Sequence, residues 1–403
     1  MRDSSSHQVV DPLEPPAGFS LVQGGPLFQL LRRTHLSGDA LTLLRRRVLV
    51  IAAFTWLPLL ALSAAGGQLL GGGAAVPFLM DVDVHIKFLV VVPLLIIAEL
   101  VVHRRVSPLV NQFLEQGLIP AAARGRFDAA VASALRLRNS VLAEVVLLAL
   151  VYGIGVPVLW RHYVVLDATT WYATPSAAGS VLSLVGVWYA FVSLPIMQFL
   201  LLRWAFRLFV WARFLSQVSR LDLDLVPTHP DGVGGLGFLS NVLSAYIPLS
   251  TAFGALLAGN VADHIFYAGG RLPDFKMQIA AGVVLLVSVF VAPLLVFVPR
   301  IAEAKRMGIL EYGRLAQRYA GEFDAKWVHG NAPGVEPLLG SGDIQSLADM
   351  GNSFQVIRTM RMAPVAVQDV IGVALAALVP IAPLALTVMP LEELLKLAFG
   401  LLR

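Results

Sequence analysis

Apolar runs of about twenty residues recur along the chain, separated by polar segments rich in arginine, proline or glycine. A run of that length crosses a hydrocarbon layer of about 30 Å as a helix. Seven spans are predicted, at 48–65, 86–102, 141–160, 181–202, 238–262, 279–299 and 365–389. Each contains proline: Pro58, Pro93, Pro157, Pro195, Pro248, Pro293, and the pair Pro380 and Pro383. Proline removes a backbone donor and crowds the preceding turn, so kinked spans are expected.

The connections alternate in kind. Those after the second, fourth and sixth spans are long and amphipathic at helical spacing, predicting helical arms at 103–140, 203–237 and 300–364. The others are short and rich in glycine or aromatic residues. Residues 1–26 are polar and proline-bearing, which predicts a disordered tail before a single membrane domain over 27–403. After Pro390, 391–402 reads as an interfacial helix or a partial eighth span.

Composition agrees with this pattern. The chain is 57% hydrophobic and 14% charged, with mean hydropathy +0.75, which excludes a soluble domain. A β-barrel would alternate over short segments instead. The fold class is therefore all-α, a polytopic helical membrane protein with about seven proline-kinked spans and amphipathic helices outside the membrane. There is no cysteine, so disulfides, thiolate metal sites and a cysteine nucleophile are excluded.

Charge sets the threading. Of the 30 Lys and Arg residues, twenty-four fall on the side of the N-terminus and the long arms. That predicts a cytoplasmic N-terminus. The net charge of +4 is then a topological effect. Its partners are anionic lipid headgroups and not nucleic acid. A homo-oligomer is compatible with this pattern but not required by it.

The most turn-dense stretch, residues 227–238, carries Gly232-x-Gly234-x-x-Gly237, a literal dinucleotide-binding pattern. The following helix is a membrane span and no βαβ unit fits, so that reading is rejected. Three readings remain. Free amides of Gly232, Gly234, Gly235 and Gly237 at a helix start suit an anion or lipid phosphate. His229 and Asp231 suit proton transfer, or with Asp222 and Asp224 a hard metal ion. A Pro-Asp-Gly turn capping the fifth span needs no ligand at all.

A second group lies at matching helix ends: Glu99, Glu144, Asn241 and Asp369, with Arg203 and Arg207 as partners and His103 one turn from Glu99. Burying a carboxylate costs several kcal/mol unless it is paired or hydrated. These six residues are thus expected to form either a polar vestibule floored by the 227–238 loop or a set of structural ion pairs. Ser240, Ser244, Thr251, Gly254 and Ala258 give the fifth span a small-residue face, for helix packing or for lining a pore. At the opposite side Asp81, Asp83, His85, His162, Asp263 and His264 could gather around a divalent cation.

No catalytic signature is present, so an enzyme is disfavoured, and no cofactor follows from the sequence. The pairing of Thr228-His-Pro-Asp-Gly-Val-Gly-Gly-Leu-Gly-Phe-Leu239 with Gly342-Asp-Ile-Gln-Ser-Leu-Ala-Asp-Met-Gly-Asn-Ser-Phe354 resembles a set of bacterial multi-pass membrane proteins described only as hypothetical. The resemblance implies a bacterial inner membrane, assigns no activity and carries over no functional residue. Three functions stand as expectations: an ion or small-solute channel or transporter; a membrane anchor or signalling scaffold; and a lipid-acting enzyme near His229 and Asp231.

Overall fold

The computed structural model describes residues 19–25, 43–71, 74–157, 170–174, 181–330, 337 and 340–388. The tail up to 18, the 158–169 segment with His162, and the 391–402 helix lie outside the described residues.

The chain is all-α and polytopic. Five helices are long and apolar enough to cross a membrane: α1 (Leu44–Ala65), α2 (Val82–Glu115), α5 (Leu184–Val218), α8 (Leu272–Val328) and α10 (Val367–Thr387). Two bent pairs raise the total to as many as seven if each forms one span. In the first, α3 (Arg124–Arg138) leads into α4 (Val141–Gly155), with a bend of 47°. In the second, α6 (Gly237–Ala245) leads into α7 (Ile247–Tyr267), with a bend of 41°. A further helix, α9 (Gly342–Arg358), packs against the distal part of α8. The described strands are a two-residue hairpin, β1 (Ala173–Thr174) with β2 (Val181–Leu182). It marks one end of the bundle, the hairpin end. Residues 219–236 mark the other, the loop end.

Large apolar side chains point outward along the spans, Leu184 at 73% exposure and Val367 at 71% among them. In water such a surface would aggregate; against lipid chains it costs nothing.

The prolines act in three ways. Pro93, Pro157 and Pro195 each stand two residues beyond a widened π turn: Lys87–Val91, Val151–Gly155 and Tyr189–Ser193. The carbonyl four residues before each proline, which its ring would strike, falls inside that turn, and widening moves it away. Pro293, Pro380 and Pro383 sit instead in tightened 3-10 segments, Ala292–Phe297 and Val379–Thr387. Pro248 opens α7 just past the 41° bend, where its missing donor is not needed. Pro58 stays within regular helix; one turn before it the Thr55 carbonyl accepts from Ser193 Oγ of α5 at 2.7 Å.

The small-residue face of the fifth span packs helix on helix. A Cβ on Gly254 would lie 1.9 Å from the Ala377 carbonyl oxygen of α10, so only glycine permits this approach. Ser250 Oγ donates to the Val373 carbonyl at 2.6 Å on the same seam.

Residues 19–25 depart from the disordered tail expected over 1–26. Phe19, Leu21 and Val22 are buried. Phe19 joins a ring cluster with Trp211 and Phe214, at 6.3 and 5.2 Å between centroids. Their apolar side chains fill a gap at the loop end, and burial of such groups outweighs the ordering of a few residues.

Candidate functional site: a buried arginine–glutamate cluster

Three helices deliver the charged groups to one point. Arg47 comes from the first turn of α1, Glu99 from the middle of α2, and Arg203 and Arg207 from successive turns of α5. All four are at least 95% buried. Glu99 Oε2 pairs with Arg47 Nη1. Its Oε1 lies 2.8 Å from Arg207 Nη1 and 3.4 Å from Arg203 Nη1. One carboxylate thus faces three guanidiniums.

Glu144, in the first turn of α4, places Oε1 3.9 Å from Arg203 Nε. The α4 start is set by Ser140, whose Oγ accepts from the Ala143 amide at 3.2 Å. Arg138, the last residue of α3, donates to the Ser20 carbonyl. The Gly25 amide donates to Asn139 Oδ1 at 3.0 Å. Residues 19–25 are therefore tied across the cluster. Leu21 and Gly24 join Arg138, Glu144, Arg203 and Arg207 around a cavity of about 10 Å³, close to the smallest space that holds one water.

Hydrogen bonding leaves this cluster incomplete. Arg207 Nη1 is close to Glu99, yet neither it nor Nη2 has a partner in hydrogen-bonding geometry. The Arg207 guanidinium lies over the Trp204 ring at 4.7 Å, a cation–π contact that satisfies no N–H. The geometry of attraction is in place while the directional bonds are not, so the burial of these charges is only partly offset.

The six residues expected to share a vestibule fall into two places. Glu99, Glu144, Arg203 and Arg207 meet, and Arg47 joins them. Asn241 is exposed. Asp369 sits apart in the first turn of α10, where it accepts from Ser240 Oγ. Ser240 in turn accepts from the Ala366 amide at 2.8 Å. That arrangement caps α10 and belongs to the α6–α10 contact. His103 is not a partner of Glu99; its Nδ1 is 2.9 Å from Ser20 Oγ and 3.1 Å from Ser107 Oγ. The arginines outcompete it because each brings several donors and a fixed charge.

The 227–238 loop has its own internal anion. Asp231 Oδ1 accepts from the amides of Val233 and Gly235 at 2.9 and 3.1 Å, and Oδ2 from Gly237 at 2.8 Å. Gly232, Gly234 and Gly235 take φ of 66°, 72° and 99°, the left-handed region that turns these amides inward. Of the three readings, the one with an external anion in this nest meets a filled site, because a side chain of the loop itself occupies it. Burial alone would raise the Asp231 acid, but the amides, with His229 Nδ1 at 2.9 Å, hold it below its ordinary 3.8. Asp222 turns away to Arg126 and Arg300, each at 3.5 Å, so it does not complete a metal site with His229. The loop is a structural hub: Arg361 of the α9–α10 connection donates from its amide to the Gly232 carbonyl at 2.8 Å and from Nη2 to the Asp231 carbonyl at 3.0 Å.

At the hairpin end, Asp81, Asp83 and Asp263 bring carboxylate oxygens within 4.8 Å of one another. Lys87 pairs with Asp83 one turn on, and Trp171 Nε1 donates to Asp81 Oδ2 at 2.8 Å. His85 and His264 do not join them; His85 accepts from Trp56 Nε1 at 3.0 Å and His264 bonds the Asn260 carbonyl at 2.8 Å.

Arg47, Lys87, Arg138 and Trp171 were not singled out as site residues. Arg47 is the last of three consecutive arginines and looks like a topology signal. Its burial depends on α2 and α5 arriving from elsewhere. Comparison with protein-family models, curated proteins and solved structures finds no match.

Proposed function

We propose that the protein is a channel or secondary transporter for small ions, with the Arg47–Glu99–Arg203–Arg207 cluster as its charge-selecting constriction. The observation carrying this reading is that four ionised groups are buried inside apolar spans with their hydrogen bonding incomplete. Ionised residues at such depth are costly, and they mark ion pathways and relays far more often than scaffolding. The packed arrangement, with residues 19–25 across the cavity, is then the closed form. The uneven spread of basic residues supports a cytoplasmic loop end.

Purified protein in liposomes tests this. We expect ion flux that Arg203→Gln or Glu144→Gln changes at least tenfold. Vesicles that stay tight across a panel of monovalent and divalent ions, for wild type and both variants, would sink the proposal.

A second reading is an anchor or scaffold. It draws on α8, whose distal part exposes Ile309 at 38%, Leu310 at 45% and Leu315 at 44% beyond its membrane portion. That face suits a protein partner, and crosslinking from position 310 in intact cells would detect one.

A further inference from the structure

We infer that the arginine cluster is a binding site for a single monoatomic anion of about chloride's size, seated between Arg138, Arg203 and Arg207 beneath residues 19–25. The inference deepens the conduit reading by naming the substrate class of the same site.

Charge comes first. Among the described residues the cluster holds four guanidiniums, of Arg47, Arg138, Arg203 and Arg207, against the two carboxylates of Glu99 and Glu144. That leaves an excess of two positive charges. Guanidinium does not release its proton under biological conditions, so the excess cannot be relieved by titration. A counter-charge from outside these six residues would offset it.

Donors come second. Arg207 is 4% exposed and lines the cavity; its Nη1 pairs with Glu99 Oε1 at 2.8 Å, while Nη2 has no hydrogen-bond partner. Both oxygens of Glu99 are already engaged by guanidiniums, Oε2 by Arg47 and Oε1 by Arg207 and Arg203. An acceptor in the cavity would take the donors that Glu99 does not reach.

Size decides the class. The cavity of about 10 Å³ admits one water-sized body. A halide is larger than water but spherical and needs no directional geometry, so a small outward shift of the flanking arginine side chains admits it. A sulfate, a phosphate or a lipid phosphate needs room for four oxygens, which is available only if residues 19–25 leave. Those residues also exclude bulk water, which would otherwise screen the attraction.

The test uses the full chain purified in detergent, with thermal unfolding followed at constant ionic strength as sodium chloride replaces sodium gluconate. A ligand that binds only the folded form raises the melting temperature with its concentration. We expect a saturable rise of several degrees with chloride, reproduced by bromide and not by sulfate or phosphate. Arg207→Gln should flatten the response. Arg138→Gln, at the half-buried rim, should shift its midpoint at least fivefold to higher chloride, and keeps the test decisive if the Arg207 variant does not fold. Coincident wild-type curves in chloride and gluconate would overturn the proposal. So would a chloride response unchanged in the folded variants, or phosphate matching chloride, which would reassign the site to oxyanions. Chloride binding without chloride efflux from liposomes supports the site and removes the conduit; efflux without binding does the reverse.

Discussion

Helix α2 carries one buried charged cluster at its start and another at its middle, and the two are built in opposite senses. At the hairpin end three carboxylates, Asp81, Asp83 and Asp263, share one ammonium, Lys87. Sixteen residues on, about 24 Å at 1.5 Å per residue, Glu99 alone faces three guanidiniums. Each cluster carries uncompensated charge, but the remedies differ. Carboxylates in one site can take up a proton and become neutral. Arginines cannot give theirs up, so the loop-end cluster must keep its carboxylate or recruit an anion. One end can be balanced by pH and the other only by a counter-ion.

The largest effect is expected from Glu99→Gln. It removes the one carboxylate that touches all three buried arginines and should cost about 3–5 kcal/mol of stability, read from unfolding in detergent. Asp83→Asn, which leaves two carboxylates beside Lys87, should cost clearly less. Equal losses would break the contrast between the ends. Lys87→Met should come next, at about 1–3 kcal/mol near neutral pH.

The smallest effect serves as a control. Asp231→Asn weakens the amide cradle of the 227–238 loop and should cost about 1 kcal/mol without altering either cluster's salt or pH response. The Asp231 acid is stronger in the folded chain than its ordinary 3.8. Its stabilising contribution is therefore full above pH 3.8 and fades as pH falls below that toward the folded value. Wild type and Asp231→Asn should converge in stability only under strongly acid conditions. Convergence already at pH 5 would contradict the cradle.

The loop and the cluster differ in how far the sequence revealed them. The loop is local: Pro230, Asp231 and the glycines that cradle its carboxylate lie within eight positions, so a Pro-Asp-Gly turn was legible. Which of three occupants filled it was not, since an Asp231 carboxylate and an external anion would use the same amides. In the cluster, Glu99, Arg203 and Arg207 stood out because ionised residues in apolar runs always do. Arg47 did not, because at a helix start an arginine reads equally well as a flanking charge. Asp369 was grouped with Glu99 by membrane depth alone, and depth says nothing about position around the bundle. Residues 19–25 carried no periodicity to mark them, being too short for any repeat.

What the sequence determined by itself was everything that follows from near-neighbour chemistry and length: the apolar runs, their helical form, the places where proline had to be accommodated and the uneven spread of arginine. These depend on the cost of burying backbone and charge one segment at a time. The tertiary structure alone decided which proline widened a turn and which tightened one, which helices brought their charges together, and that residues 19–25 would lie across them. Those outcomes depend on packing around the bundle axis, where residues 50 to 160 positions apart meet and hydropathy carries no angular information.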